Sequence, residues 1–350
     1  MIGSLQSLRF FFAGMIFLHH FIVNGEGLFN AGGPCGVSFF MILSGFVMFV
    51  GYGSKVQMHS FSYKNFLYKR IIRIYPLHLL CLLGFLILHR FFLSLFDYLT
   101  LLPNLLLLQS WIPQSSYYFS GNAVSWCLSC MLFFYMAFPF IVSRLNKYSR
   151  CKLCIIGLLV MMMYFFLLYF LPDKWEHPIL YISPLLRVLD FIIGILLCRL
   201  YYMLEERGVG AKLRSYSFRT KSLLELFPVF LLSVMLLLYS DIPQRYTYAS
   251  YWWFVMPLFI LIFALFNKSG GVISQLLNYP FLLLLGEFSF TFYMIHILVM
   301  DVFNACVRHF HLNIPWGVLL PIYFISVTIL SYCVYRYYEK PIASKLRKRL

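Results

Sequence analysis

The chain has 350 residues, of which 62% are hydrophobic, 20% aromatic and only 11% charged. Soluble domains carry about a quarter charged residues, so this composition excludes an ordinary soluble enzyme. Apolar runs of about 20 residues recur along the chain, and each is long enough to cross a hydrocarbon layer of about 30 Å. The sequence therefore predicts an all-α, polytopic membrane protein.

Apolar runs bounded by polar residues or by Pro and Gly predict about ten membrane-spanning helices. They lie at 6–23, 35–53, 74–95, 123–143, 153–171, 179–203, 223–240, 250–267, 281–303 and 316–338. The stretch 98–113 is apolar but short and contains Pro103, so we expect it to lie at the interface or to re-enter. The longest polar stretch, 204–222, is too short to form a core, so no soluble domain is predicted.

The basic residues predict the orientation. Most of the 28 Lys and Arg residues fall in one set of loops, and the opposite loops hold only Arg90, Lys174, Arg245 and Arg308. The positive-inside rule then places both termini in the cytoplasm. Topology and contact with anionic membrane lipid account for the net charge of +16, so no nucleic-acid partner is expected. The nine cysteines show no paired spacing, and we expect neither disulfides nor a metal site.

The first span carries two ionisable residues that are costly in lipid, Arg9 and His20. Eleven residues at about 100° each return to nearly the same helix face, displaced by about 16 Å. Both side chains can therefore line one groove, Arg9 at its cytoplasmic mouth and His20 deep inside. Alternatively, Arg9 snorkels to the headgroups and His20 bonds a backbone carbonyl. His19 is about 100° off this face, and we expect it to pack.

Small and basic residues mark the next two spans. Ser44 and Gly45 interrupt an apolar helix, which permits either close helix packing or the approach of a ligand. Arg70 and Arg73 are three residues apart and so are neighbours on one helical face. They serve topology alone, or they bind phosphate groups through their forked donors.

Polar residues also interrupt the later spans. Ser129 and Tyr135 stand among large apolar residues in 125–139. Arg187 and Asp190 are three apart, and we expect a structural ion pair within the bundle. His296 lies near the predicted depth of His20, so the two histidines can meet in a common cavity. Glu339 lies where the last span meets the cytoplasm and can pair with a nearby arginine.

Six motifs occur along the chain in a fixed order. They are Arg9 with His20; "GVSFFMILSGF" at 36–46; "RIIRIYP" at 70–76; "SWCLS" at 125–129 followed by Phe134 and Tyr135; Gly286, Ser289, Tyr293 and His296; and Glu339 with Pro341. In this order, and with this number of spans, the chain resembles the acyltransferase 3 family of integral-membrane acyltransferases over residues 8–341. The resemblance implies a single integral-membrane acyltransferase domain over 1–350.

Two positions depart from the family pattern. Ser38 stands where the family often has Asp after Gly-Val. Cys130, Met131 and Leu132 stand where the family often has Glu, so an acidic residue is missing from the fourth predicted span. If that carboxylate assists catalysis or acceptor binding in the relatives, this protein does without it.

The resemblance implies an O-acetyltransferase of the cell (inner or plasma) membrane that uses acetyl-CoA as donor and needs no metal. The acceptor would be a hydroxyl of a cell-surface or exported polysaccharide or a lipid-linked sugar. Arg9, Arg70 and Arg73 would bind the phosphates of coenzyme A. His20 would be the general base, with a covalent acyl-histidine as the alternative. His296 would orient the acceptor or stabilise the oxyanion, and Ser44, Ser129 and Tyr135 would bind substrate.

A transporter or flippase for a lipid-linked sugar, without acyl transfer, is the alternative function. It would use the same buried polar residues without chemistry. Transporters more often contain inverted repeats with paired broken helices, and the sequence shows no clear repeat. A homo-oligomer is compatible with the sequence, which gives no oligomeric state.

Overall fold

A computed structural model describes residues 2–58 and 61–347, and this part of the chain is almost entirely helical. The first helices are α1 (Gly3–His20), α2 (Gly32–Tyr52), α3 (Tyr63–His89), α4 (Leu95–Leu105), α5 (Ser115–Tyr118) and α6 (Trp126–Lys147). The next are α7 (Arg150–Phe170), α8 (Asp173–Glu176), α9 (Pro184–Glu206), α10 (Val209–Ser215), α11 (Phe218–Leu238) and α12 (Gln244–Thr247). The last are α13 (Met256–Phe266), α14 (Val272–Leu277), α15 (Pro280–Glu287), α16 (Ser289–His309), α17 (Trp316–Val334) and α18 (Lys340–Arg347).

Short irregular elements join some of these helices. Strands β1 (Ile22–Val23) and β2 (Glu26–Gly27) form an antiparallel hairpin between α1 and α2, with Ile22 opposite Gly27. Two π-helical turns, His177–Ile182 and Tyr335–Glu339, precede α9 and α18. The all-α fold class is confirmed.

Seven helices in the described ranges are long and apolar enough to cross a membrane, or eight if one bent pair forms a single span. The seven are Gly32–Tyr52, Tyr63–His89, Ala123–Lys147, Cys151–Phe170, Phe218–Asp241, Ser289–His309 and Trp316–Arg347. The bent pair joins Asp173–Ile182 and Pro184–Glu206 at 40°. These helices are those of a multi-pass membrane protein.

Two of the predicted spans are not among these helices. The predicted span 6–23 corresponds to α1, whose mean hydropathy is lowered by Gln6, Arg9 and the two terminal histidines. The predicted span 250–267 begins with a 3-10 turn, so its helix α13 has only 11 residues. The count of about ten spans and the cytoplasmic position of the termini stay predictions.

Two further apolar stretches differ in their continuity. The predicted span 281–303 is interrupted at Phe288, where α15 ends and α16 begins, so the long apolar helix runs over Ser289–His309 instead.

In the stretch 98–113, helix α4 has 11 residues. Its length of about 16 Å is about half of the hydrocarbon thickness. After it, Leu107 adopts a positive φ of 56°, which ends the helix. This stretch is too short to cross, as predicted.

Helix α1 lies inside the bundle, where aromatic side chains fix it against α16 and α17. The Phe10 and Phe292 rings pack edge to face at 5.1 Å, and the Phe17 and Phe324 rings at 5.3 Å. Phe17 is completely buried. This packing holds the C-terminal end of α1 against the middle of α16.

Helices α2 and α9 cross at two glycines. A methyl group on Gly45 would overlap the carbonyl oxygen of Phe191, and one on Gly194 would overlap the carbonyl oxygen of Ile42. Gly45 therefore serves close helix packing, which is one of the two roles open to it from the sequence.

We expect Gly45→Ala to lower the stability of the folded protein by about 1–3 kcal/mol, because the added methyl has no room at the α2–α9 crossing. The measurement is the midpoint of thermal unfolding in detergent. Gly51→Ala in the same helix is the matched control, since nothing lies within 4 Å of a methyl at that position. Equal midpoints for the two variants would contradict the close crossing.

Candidate active site

Two histidines from different helices meet at the C-terminal end of α1. His20 is the last residue of α1, and His296 lies in α16. Nε2 of His296 is 3.1 Å from Nδ1 of His20, and the ring centroids are 5.1 Å apart. His296 is fully buried, whereas His20 is partly exposed. The structure thus brings together the two histidines that the sequence placed at similar depth.

Backbone carbonyls determine which ring nitrogens carry hydrogen. Nδ1 of His296 is 2.6 Å from the Tyr293 carbonyl oxygen, which can only accept, so this nitrogen is the donor. In a neutral ring, Nε2 of His296 is then an acceptor. Nδ1 of His20 lies 2.9 Å from the Ile16 carbonyl oxygen and so donates to it and toward His296. The network leaves the lone pair of His20 on Nε2.

The loop before α6 holds the histidine segment of α16 in place. The Tyr293 hydroxyl donates to the Val124 carbonyl at 2.7 Å, and Asn122 Nδ2 donates to the Met294 carbonyl at 2.7 Å. Both bonds are buried. They fix the backbone that carries the carbonyl partner of His296.

His19 has a separate, structural role. Its Nδ1 lies 2.9 Å from the Asn30 carbonyl oxygen, beyond the β-hairpin, and a side chain at Gly33 would overlap its ring. This histidine therefore ties α1 to the start of α2. The expectation that His19 packs and that His20 faces the site agrees with this geometry.

A second polar group contains the arginines. Nη1 of Arg73 lies 2.9 Å from Oε1 of Glu339, and the Thr291 hydroxyl donates to Oε2 of the same carboxylate. Arg9 is within electrostatic range of both Arg73 and Glu339. The Tyr338 hydroxyl donates to the Pro76 carbonyl at 3.1 Å, which holds the π-helical turn of Glu339 on α3. Glu339 thus pairs with an arginine, as the sequence suggested.

Tyr135 lies where the three predicted arginines converge. Its side chain is buried and within electrostatic range of Arg9, Arg70 and Arg73, and the Ser44 side chain is beside its hydroxyl. Tyr135 and Ser44 therefore belong to the arginine group; the resemblance had implied only that both bind substrate.

Arg70 has one aromatic partner. Its Nη2 donates to the Tyr52 hydroxyl at 3.0 Å, and its guanidinium lies 4.9 Å from the centre of the Tyr52 ring. Its Nε is buried without a hydrogen-bond partner among the described residues. Arg70 therefore has unused donor capacity beside Arg73 and Arg9.

Ser129 is the predicted site residue that joins neither group. Its side chain is 1% exposed, and its hydroxyl has no hydrogen-bond partner within 2–58 and 61–347. Sequence reasoning missed Thr291 and Tyr52, which hold Glu339 and Arg70. Each is a polar residue in an aromatic or apolar run, so polarity was its only signal.

The predicted pair of Arg187 and Asp190 is confirmed, with Nη2 and Oδ2 3.0 Å apart and both side chains fully buried. Arg187 also donates to the Ser38 hydroxyl at 3.2 Å, and Trp253 Nε1 donates to Asp190. Ser38 is the position where the family resemblance suggested Asp. Here Asp190 supplies the carboxylate to Arg187, and Ser38 is a neutral acceptor.

Comparisons with known proteins identify the family of the chain. The family profile described as "Acyltransferase domain" (Acyl_transf_3) matches residues 2–336. The chain is similar to "Acyltransferase MdmB" of Streptomyces mycarofaciens, with 28% identity over 326 residues that cover 85% of this chain and 78% of the relative. No solved structure is significantly similar to the chain. The chain belongs to the acyltransferase 3 family and is a membrane acyltransferase.

Proposed function

We propose that this protein transfers an acetyl group from cytoplasmic acetyl-CoA to a hydroxyl of a cell-surface or exported polysaccharide or glycolipid, in the cell (inner or plasma) membrane. The observation that carries the proposal is the pair of groups on α1. At one end, Nε2 of His20 has no hydrogen-bond partner among the described residues, and Arg9 lies with two further arginines about 16 Å of helix rise away.

The residues present fit coenzyme A. Its phosphates need cationic donors, and guanidinium groups bind phosphate in bidentate fashion. Arg70 retains a buried Nε with no partner among the described residues, and Glu339 is the carboxylate that pairs with Arg73 and lies within electrostatic range of Arg9. Acetyl-CoA supplies a thioester, whose pantetheine arm is long enough to extend from the arginines toward His20.

His20 acts as the general base in this proposal. Its Nε2 takes the proton of the acceptor hydroxyl while the hydroxyl oxygen forms a bond to the thioester carbonyl carbon. The C–S bond then breaks, and the protonated His20 returns the proton to the leaving thiolate. The transferred proton enters and leaves through Nε2, because Nδ1 already carries its own hydrogen.

His296 acts through His20 and is a positioning residue. Its Nε2 accepts the hydrogen bond from His20 Nδ1, and that bond strengthens when His20 becomes positively charged. Its other nitrogen is held by Tyr293, so a neutral His296 has no N–H left for an oxyanion. The resemblance implied that His296 orients the acceptor or stabilises the oxyanion; the role proposed here is instead to orient His20.

We expect membranes containing the protein to release coenzyme A from acetyl-CoA only when a glycan acceptor is added. In the same assay, Arg70→Ala should raise the KM for acetyl-CoA about tenfold and leave the KM for acceptor unchanged, because one charge-assisted phosphate contact is lost. Coenzyme A release is followed with a thiol reagent, and acetylated glycan by mass spectrometry.

Tyr52→Phe is the matched control for Arg70→Ala. It removes the hydroxyl that Arg70 contacts but keeps the guanidinium and the ring beneath it. An equal rise of KM in both variants would show that the contact with Tyr52, and not the charge, matters. Movement of a lipid-linked sugar across the membrane without any release of coenzyme A would refute the proposed function.

A further inference from the structure

A surface groove of about 460 Å³ lies beside the arginine group at the end of the bundle that carries α18. It is lined by Arg73, Tyr335, Lys340, Ala343, Ser344 and Arg347. Ligand pockets in proteins have volumes of about 300–1,000 Å³, so the groove can hold a nucleotide-sized group. Arg73 belongs both to this groove and to the group around Tyr135.

Helix α18 turns one face toward the groove. Lys340, Ser344 and Arg347 follow the spacing i, i+4 and i+7, which places them on one side of a helix. Ala343 on the same side is 7% exposed. Tyr338 lies in the π-helical turn just before α18. Its hydroxyl donates to the Pro76 carbonyl of α3, so α18 is held against α3.

The helix that ends in α18 is too long for the membrane alone. Trp316–Arg347 has 32 residues, or about 48 Å, whereas the hydrocarbon layer is about 30 Å thick. Its last turns therefore lie beyond the hydrocarbon layer, where a water-soluble ligand can reach them. Lys340 and Arg347 are both exposed.

The charges around the groove favour an anion. Arg73, Lys340 and Arg347 line it, and the carboxylate of Glu339 faces Arg73 and Thr291 and is 4% exposed. Three of the six lining residues are therefore basic, and the exposed carboxylate of Glu287 lies beside them, where it accepts from the Tyr335 hydroxyl at 3.0 Å. Ser344 adds a hydroxyl that can donate to a phosphate oxygen.

We propose that this groove binds the phosphorylated nucleotide end of coenzyme A, with Lys340, Ser344 and Arg347 of α18 as its phosphate-binding residues. The inference rests on the proposed function, because it extends the donor site beyond Arg9, Arg70 and Arg73. The groove leads to Arg73, and from there the pantetheine arm enters the bundle toward His20. An anionic lipid headgroup carries the same phosphate chemistry, so the test separates the two sources.

The test measures binding and needs no turnover. Purified protein in nanodiscs of phosphatidylcholine is titrated with coenzyme A and with pantetheine, which lacks the nucleotide, by calorimetry. We expect the double variant Lys340→Gln with Arg347→Gln to weaken binding of coenzyme A about tenfold and to leave binding of pantetheine unchanged. Lys345→Gln is the matched control, because this exposed lysine of α18 lies outside the groove lining.

Other results overturn the inference. Equal losses for coenzyme A and pantetheine would show a general defect of the protein, and unchanged binding of both would show that α18 takes no part. If only phosphatidylglycerol added to the nanodiscs discriminates the double variant from the control, the groove holds lipid headgroups. Coenzyme A binding that depends on α18 without any acyl transfer would support the groove and refute the proposed function.

Discussion

His20→Ala is expected to lower acyl transfer by about 10²–10⁴-fold, the range that a positioned general base contributes. The variant removes Nε2, the ring nitrogen of the pair that the network leaves free to accept a proton. The amount of protein in the membrane should stay the same, since the side chain is partly exposed and, within the described part of the chain, its one hydrogen bond to another helix is that to His296. Acetylated product per unit of membrane protein is measured by mass spectrometry.

His19→Ala is the matched control for this prediction. The neighbouring histidine has the same chemistry, but its ring is bonded to the Asn30 carbonyl and packs on Gly33. We expect its replacement to leave transfer near that of the unchanged protein. If the two variants lose activity equally, the effect lies in the α1–α2 connection and His20 is not the base.

Asp190→Asn is expected to lower the stability of the fold by about 3–5 kcal/mol, because it leaves the Arg187 charge buried without a carboxylate. The asparagine has the same shape and can still accept from Trp253, so the charge is the main change. The measurement is the loss of folded, monodisperse protein on heating in detergent.

The double variant Arg187→Met with Asp190→Asn completes this test. Removing both charges eliminates the unpaired buried ion, so the double variant should be more stable than Asp190→Asn alone. A double variant whose losses equal the sum of the two single losses would show that Arg187 and Asp190 act independently, against the ion pair of the structure.

The sequence predicted those pairings that depend on helix periodicity. Arg187 and Asp190 are three residues apart on one helix, so their contact follows from local geometry alone. The meeting of His20 with His296 required only that two long helices place polar residues at similar depth. Because each residue turns the helix by about 100°, His20 lies on the face of Arg9 and His19 does not.

The sequence could not predict features that depend on contacts between distant segments. The break at Phe288 lies inside an apolar run. The sequence could not predict it, because apolarity measures compatibility with lipid and not the continuity of a helix. A side chain at the neighbouring Gly286 would overlap the backbone of Gln6 in α1, which shows how closely the chains approach there. Tyr135 lies near the arginines because α6 packs on α3 and Arg9 of α1 is within electrostatic range, and no spacing within α6 contains that information.

For the basic residues of α18, the sequence predicted a role in membrane topology alone. Lys340 and Arg347 contribute to the charge asymmetry that predicts topology, and their spacing alone indicates no further role. Their position beside Arg73 depends on the π-helical turn at 335–339 and on its bond to α3.

The hydrogen bonds of the two histidines also bear on bioenergetics. A proton on His20 finds no onward route through His296, whose far nitrogen ends at the Tyr293 carbonyl, an oxygen with no proton to relay. The pair is therefore a dead end for proton conduction. In the proposed mechanism the proton leaves by the atom it entered, so the histidine pair itself carries no proton across the bilayer.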